Sequence, residues 1–289
     1  MFKFKTILAA LVGAMALVAP ATAAEPGGPL VPKQSWTFAG PFGTYDENQL
    51  QRGFQVYREV CASCHGMRLI AFRNLSEPGG PRFSEAQVRA LAAEYQIVDP
   101  AAEGGVRPGV PADRFPTPFA NEQEARDANG GAYPPDFSVI AKARGIYEPF
   151  PNWAFNYFTG YSEGGPDYIH ALLMGYREPP EGIELQPGQY YNDYFPGHLI
   201  SMAPPLQDGL VTYEGEGVPE TLDQYATDLS AFLMWTAEPH LVARKEAGFR
   251  VITFLILFAG LLYFVKNKLW ANVKHRNPSP DDVERDARA

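Results

Sequence analysis

Apolar residues recur at helical spacing in several separate stretches of the chain. Leu50, Phe54 and Tyr57 share one helical face behind Asp46, a suitable N-cap, and predict a helix over residues 46–60. The pattern favours a mainly α-helical protein. Further helices are predicted after the Ser84–Gln87 capping-box pattern, over 122–128, from a cap at Asp136 to Ala143, from an opening at Asp167 to a stop at Gly175, and over 222–235.

Long segments without helical periodicity separate these helices. The 289 residues include 27 Gly and 27 Pro, which favour fixed loops over long regular elements. Glu25–Thr44 is predicted to be an extended arm, and 99–119, with its five prolines, a long loop or insertion. Gly145–Pro166 is aromatic and glycine-rich without a helical period, and 176–220 is expected to be mostly loop.

An uncharged apolar run near the C-terminus is typical of a membrane span. Val251–Val265 carries no charge; Arg250, Lys266 and Lys268 bracket it, and Trp270 follows. With flanking side chains that can reach the interface, the run attains the roughly twenty residues that a bilayer requires. A buried core helix would fit the bracketing cations and the interfacial tryptophan less well. We therefore predict one transmembrane anchor over 244–268.

The first 24 residues have the pattern of a secretory signal peptide. Lys3 and Lys5 precede an apolar run, and Ala21–Ala23 fits a small-residue cleavage site, with cleavage after Ala24 fitting nearly as well. An uncleaved anchor is disfavoured because the run is short and a proline follows it. Export would place residues 25–243 outside the membrane and 269–289 in the cytoplasm, in agreement with the positive-inside rule.

The two cysteines of the chain lie three positions apart, and a histidine follows at once. Cys61, Cys64 and His65 form the Cys-x-x-Cys-His pattern of covalent c-type haem attachment. Each thiol would add to one vinyl group of the porphyrin, and the imidazole would bind the iron from the proximal side. A redox pair would not need the histidine, and a zinc site would need further ligands. The spacing therefore predicts one covalent haem c.

The second axial ligand has to come from elsewhere in the chain. Met202 lies just before two prolines that would stiffen its loop and pre-position a weak thioether ligand. Met67 follows the proximal histidine too closely to reach the opposite face of the iron. Met174 and Met234 lie on apolar helical stripes, where methionine usually fills the core. We predict Met202 as the ligand, with His198 as the alternative.

Acidic residues dominate the exported part of the chain. Residues 25–243 contain 13 Lys and Arg against 28 Asp and Glu, a net charge of −15; residues 167–238 contain 1 against 12, a net of −11. This sign of field excludes nucleic acid as a partner. It would steer a partner with a basic face, although an acidic surface often serves only solubility. Glu214, Glu216 and Glu220 are predicted to lie in an exposed loop.

Four segments resemble the cytochrome c1 family: Arg52–His65, Asn129–Ser138, Met202–Pro205 and Phe232–Pro239. The resemblance runs from about residue 36 to residue 270. It implies a mainly α fold, a class I cytochrome c-like haem domain with long loop insertions, plus one C-terminal transmembrane helix. In that fold the helix before the haem motif should cross the 222–235 helix.

The resemblance also implies roles for four further residues. Arg144 matches an arginine beside a haem propionate, and Tyr168 a tyrosine packing near the haem. Asn129 and Pro135 would lie in the proximal pocket around the histidine ligand. Some bacterial members carry a disulfide that supports the methionine-side loops, and this chain has no cysteines for it. Gly145–Pro166 looks longer than in mitochondrial relatives.

The same resemblance implies that the chain would be the haem subunit of the bacterial ubiquinol–cytochrome c oxidoreductase, the respiratory or photosynthetic cytochrome bc1 complex. It would take electrons from a Rieske iron–sulfur protein and pass them to a soluble or tethered cytochrome c. It would assemble with cytochrome b in a dimeric complex of the inner membrane, with the haem domain in the periplasm. The chain alone would catalyse no reaction. The alternatives are a membrane-tethered electron carrier or oxidase haem subunit, and a haem gas sensor or peroxidase-like enzyme with an open iron position.

Overall fold

The computed structural model describes residues 31–146, 164–214 and 217–276, with isolated positions beyond 276. The predicted signal peptide and most of the aromatic, glycine-rich stretch Gly145–Pro166 therefore lie outside the described residues. In chain order the elements are α1 (Glu47–Val56), a π-helical turn (Tyr57–Cys61), a 3-10 turn (Phe72–Ser76), α2 (Glu85–Ala93), β1 (Gln96–Val98), a 3-10 turn (Glu103–Gly105), β2 (Val106–Pro108), α3 (Glu122–Ala128), α4 (Ile140–Ala143), α5 (Gly165–Met174), β3 (Tyr190–Tyr191), β4 (Leu199–Ile200), α6 (Leu222–Ala237) and α7 (Leu241–Arg276).

Helices α1 and α6 cross at a glycine. A Cβ atom on Gly53 would lie 2.2 Å from the carbonyl oxygen of Asp228 and 2.6 Å from Cβ of Phe232. Only hydrogen fits in that space, so the two helix backbones approach closely. The predicted crossing of the helix before the haem motif with the 222–235 helix is thereby confirmed, and the mainly helical fold class with it.

A buried ion pair lies next to this crossing. The Asp228 carboxylate is fully buried and accepts bonds from Nε and Nη2 of Arg52, at 2.8 and 3.1 Å. The Tyr213 hydroxyl and the Gln224 amide each donate a further bond to it at 3.0 Å. A buried carboxylate is tolerated only when it is paired and hydrogen-bonded in this way. The cluster therefore joins α1, α6 and the loop before α6.

The predicted N-terminal arm is anchored by α5. Asp167 accepts bonds from the backbone N–H of Gln34 at 2.9 Å and from Nε1 of Trp36 at 2.7 Å. Helix α5 begins at Gly165, so the prediction that Asp167 opens this helix is wrong by two residues. The carboxylate is engaged by the arm instead. The predicted stop at Gly175 is confirmed, because that glycine is the C-cap.

Two other local predictions are wrong. Asp136 does not cap α4, whose N-cap is Val139; its carboxylate accepts from the backbone N–H groups of Arg68 and Ser138 instead. The segment 99–119 is not wholly loop, because Val106–Pro108 forms strand β2 and pairs antiparallel with β1. The caps predicted at Asp46 and Ser84 are both present, each accepting a bond from the backbone N–H three residues on.

Helix α7 is, among the described residues, the one helix long and apolar enough to cross a membrane, over Leu241–Ala271. A compact unit of the chain ends at Glu246, inside this helix, and a second unit begins at the next residue. Within the first unit, Nζ of Lys245 donates to the carbonyl oxygens of Phe38 and Gly43 at 2.6 and 3.1 Å. The N-terminal part of α7 is therefore bonded to the N-terminal arm.

Candidate functional site

A π-helical turn carries the chain from α1 into the haem motif. In this turn, Tyr57–Cys61, the backbone N–H of Ala62 donates to the carbonyl of Tyr57 at 2.8 Å. The next turn is tighter, with the N–H of His65 donating to Cys61 at 2.9 Å. Single π-helical turns often occur at functional sites. Cys61 ends the wide turn, and the tighter turn that follows contains Cys64 and His65.

The two thiols differ in environment. Cys61 is buried, whereas Cys64 is partly exposed, and neither forms a disulfide. Burial raises the pKa of Cys61 to about 12, so this thiol is protonated at neutral pH. Each sulfur is therefore a free thiol on the same short stretch of backbone.

The His65 imidazole is held in one tautomer. Its Nδ1 lies 2.8 Å from the carbonyl oxygen of Pro135. Because a carbonyl can only accept, Nδ1 carries the hydrogen, and the lone pair is on Nε2. The side chain is 8% exposed, and burial lowers the pKa of the imidazole, which keeps it neutral. A neutral imidazole with its lone pair on Nε2 can coordinate a metal ion through that nitrogen.

The segment 135–138 is fastened to the chain just after His65. The backbone N–H of Phe137 donates to the carbonyl of Gly66 at 2.8 Å. The Ser138 hydroxyl accepts from the N–H of Leu69 at 3.0 Å, beside the bond that Asp136 accepts from Arg68. The Tyr57 hydroxyl donates to the carbonyl of His65 itself at 3.0 Å. The His65 backbone is thus held by Tyr57, and the segment that contacts its side chain is held by the residues just after it.

A second region of the structure surrounds Met202, which is half-buried. The Tyr176 hydroxyl donates to the Met202 carbonyl at 3.0 Å. A cleft next to this loop is lined by Tyr176, Tyr190, Tyr191 and Pro204, among others. Burial raises the pKa of Tyr176, and so does the neighbouring Tyr168, so the Tyr176 hydroxyl stays protonated as a donor. The methionine loop is therefore pinned by its backbone, not by its side chain.

Two of the residues implied by the resemblance lie close together. Burial raises the pKa of Tyr168, and the nearby positive charge of Arg144 acts against that rise. Tyr168 also lies near Tyr176, which binds the Met202 backbone. Tyr168 thus lies near both Arg144 and Tyr176, whereas Pro135 contacts His65. Asn129 has a local role: its amide donates to the carbonyl of Ala125 at 2.7 Å and ends α3.

The alternative ligand His198 makes contacts of the same kind as His65, which also leave its Nε2 lone pair available. Its backbone has φ +61°, a left-handed conformation unusual outside glycine. Its Nδ1 lies 3.1 Å from the carbonyl oxygen of Asn192, and its ring stacks on Tyr191 at 5.5 Å. Met67 and Met234 are fully buried, and Met174 packs against the same core. Met174 and Met234 therefore have the core positions predicted for them. Met67, which was excluded because it follows His65 too closely, lies in the core as well.

Sequence reasoning missed two residues of the site. Asn192 is fully buried; its amide donates to Leu172, and its side-chain oxygen accepts from the N–H groups of Tyr194 and Phe195. It therefore shapes the β3–β4 hairpin that leads to the methionine loop. The Phe137 ring stacks on the His65 imidazole, with centroids 4.1 Å apart and planes 14° apart. No spacing rule links Phe137 to a histidine 72 positions earlier.

The donor set fits a covalent haem. Two free thiols, separated by two residues, precede a neutral imidazole whose Nε2 carries its lone pair. In the part of the chain that the structure describes, no three His, Cys, Asp or Glu side chains come together to hold a metal ion. A closed zinc site, which needs four ligands, is therefore not supported there.

The Cytochrome C1 family matches residues 36–273. The chain belongs to this family. Members of the cytochrome c1 family carry a covalently bound haem c, and membership supports a haem electron-transfer subunit of the bc1 complex, anchored in a membrane. The apolar helix α7 agrees with that anchor.

Several bacterial relatives are similar over most of this chain. The cytochrome b/c1 of Bradyrhizobium diazoefficiens is 56% identical over 253 residues, which are 86% of this chain but 37% of that longer protein. The cytochrome c1 of Blastochloris viridis is 49% identical over 94% of this chain and 97% of its own length. The cytochrome c1 of Rhodospirillum rubrum is 45% identical, with 91% and 96% covered.

Proposed function

We propose that this chain holds one haem through thioether bonds to Cys61 and Cys64, with His65 and Met202 as axial ligands. It carries electrons from a Rieske iron–sulfur protein to a cytochrome c. The contact between Nδ1 of His65 and the carbonyl of Pro135 is the observation that carries the proposal, because it leaves the Nε2 lone pair for a metal. When bound, the haem supplies a one-electron ferric–ferrous couple.

The residues of the chain set the conditions for that couple. The Pro135 carbonyl accepts the Nδ1 hydrogen and so raises the electron density of the imidazole as a ligand. The thioether of Met202 would favour the reduced form relative to a second histidine. Tyr176 holds the backbone of the methionine loop in place. In the absence of a supporting disulfide, this bond and the buried Asn192 are the contacts we assign to that task.

Arg144, Tyr168 and Asn129 complete the proposed haem environment. The positive charge of Arg144, next to Tyr168, suits a propionate carboxylate. Tyr168 would pack near the haem on the same side. For Asn129 the structure offers a helix-capping bond, so its part in the proximal pocket is the least direct of the three.

Surface charge supports a basic electron acceptor. Glu178, Glu181 and Glu184 are exposed in the loop after Tyr176, which lines the cleft beside the methionine loop. Opposite charge on a partner speeds encounter at low salt. Of the predicted glutamate cluster, Glu216 lies outside the described residues, and Glu220 accepts a bond from the N–H of Tyr213 at 3.0 Å. Glu220 therefore has a structural task besides its charge.

We place the subunit in a dimeric complex with cytochrome b and a Rieske protein, with the haem domain in the periplasm and the C-terminus in the cytoplasm. The export signal predicted at residues 1–24 and the cations after the apolar run support this orientation. The division into 25–243, 244–268 and 269–289 is part of this proposal, and it places the start of the anchor inside α7.

Purification in mild detergent tests the proposal. A tag on this chain should bring down a b-type cytochrome and an iron–sulfur protein, and reduced-minus-oxidised spectra should show b- and c-type haem together. The reduced c-type haem should not bind carbon monoxide, because both axial positions are filled. A c-type haem recovered alone would favour a free membrane-tethered carrier, and rapid carbon monoxide binding would favour a sensor or peroxidase-like protein.

A further inference from the structure

The Phe137 ring and the His65 imidazole form a parallel stack at the centre of the proximal pocket. Their centroids are 4.1 Å apart, and their planes differ by 14°. This is the closest aromatic pair among those described around the site. The imidazole thus has an edge contact, through Nδ1 to the Pro135 carbonyl, and a separate face contact with Phe137.

The two contacts restrain different motions. A hydrogen bond to one nitrogen fixes the position of that nitrogen, but it tolerates tilting of the ring because carbonyl acceptors have a broad angular preference. A flat ring in contact with one face of the imidazole opposes that tilt. Both restraints come from one short segment, since Pro135 and Phe137 are two residues apart.

Phe137 is itself well held. Its backbone N–H donates to Gly66 at 2.8 Å, and its carbonyl accepts from the Thr236 hydroxyl at 3.3 Å. Its ring also lies 6.2 Å from that of Tyr57, whose hydroxyl binds the His65 backbone. The restraint on the imidazole therefore leads back to α6 and to the turn that carries the haem motif.

We propose that Phe137 is a positioning residue that sets the plane of the His65 imidazole when this ring binds the haem iron. The inference rests on the proposed role of His65 as the proximal ligand. Groups around a metal ligand orient it and tune the metal. The plane of an axial imidazole determines how the ferric d orbitals split, so its orientation is read directly by electron paramagnetic resonance of the oxidised haem.

Phe137→Leu in the full chain, purified in its complex, tests this. Leucine keeps an apolar side chain but removes the flat face. We expect the haem to stay attached and low-spin, while the ferric g values shift and the lines broaden because the imidazole samples more orientations. Phe137→Tyr, which keeps the ring, should restore the wild-type signal. Phe137→Met is the substitute should the leucine variant fail to assemble.

Phe115→Leu is the matched control. Phe115 is also a phenylalanine and packs on Phe72 and Phe54; it is buried, whereas Phe137 is partly buried. The same loss of a ring there should leave the g values unchanged. Unchanged g values in Phe137→Leu, or an equal shift in Phe115→Leu, would overturn the inference. Failure of the proposed ligation would look different: wild-type protein grown with nitrogen-15 histidine would then show no histidine hyperfine coupling to the ferric iron.

Discussion

Replacing Asp228 with alanine should destabilise the haem domain more than any surface change. The carboxylate is fully buried and accepts bonds from Arg52, Tyr213 and Gln224. Removing one partner of a buried ion pair costs about 3–5 kcal/mol, because the other charge stays buried without its partner. The Arg52 side chain keeps 22% exposure, so water can partly rehydrate the guanidinium. We therefore expect the lower end of that range, about 3 kcal/mol.

Thermal unfolding of the full chain in detergent, followed by near-ultraviolet circular dichroism, measures this. For a domain of about 220 residues a loss of 3 kcal/mol lowers Tm by roughly 6–12 °C. Asp127→Ala is the control, because that carboxylate is exposed and bonds only locally to Gln123. Arg52→Met should cost less in the Asp228→Ala background than in wild type. A Tm within 2 °C of the control, or strictly additive losses, would refute the reasoning.

Three further outcomes are expected. Met202→Leu should leave the haem attached, lower its reduction potential sharply and allow the reduced form to bind carbon monoxide, since the soft thioether is lost; an unchanged potential in a redox titration would point to another ligand. Fragments ending at Ala243 or at Glu246 should both be soluble and red, with the higher Tm in the longer one, which keeps the lysine bonds to the N-terminal arm; equal Tm values would show that those bonds add no stability. Electron transfer to a basic cytochrome c should slow as salt rises. Changing Glu214, Glu216 and Glu220 together to glutamine should flatten that salt dependence without altering the haem spectrum. An unaltered slope would mean that these glutamates serve only solubility.

Features encoded within a few residues could be predicted from the sequence. The haem motif and the caps at Asp46 and Ser84 each depend on residues at most two turns apart, and the apolar run of α7 is one unbroken stretch of sequence. The crossing of α1 and α6 was predicted from the family resemblance. Gly53 gives its physical reason, because only hydrogen fits between the two backbones there.

Features that depend on distant partners could not be predicted. An aspartate before an apolar run has the same pattern whether it caps the next helix or, like Asp136, binds the N–H of Arg68. Asn192, within a polar and aromatic loop, carried no signal that it would be buried. The sequence does contain a signal for strand β2, because Gly104-Gly105 separates two runs with β-branched residues. The surrounding prolines, however, favoured a loop.

The contact between His65 and Pro135 joins residues 70 positions apart, whereas both thiols lie beside the histidine. Because the chain is made from its N-terminus, the attachment motif is complete before the segment that contacts His65 is made. In the finished structure Cys61 is buried, and its thiol is poorly ionised. Because the thiolate is the reactive form, the closed state would react slowly. We therefore expect cofactor attachment to precede closure of the distant segment around the histidine.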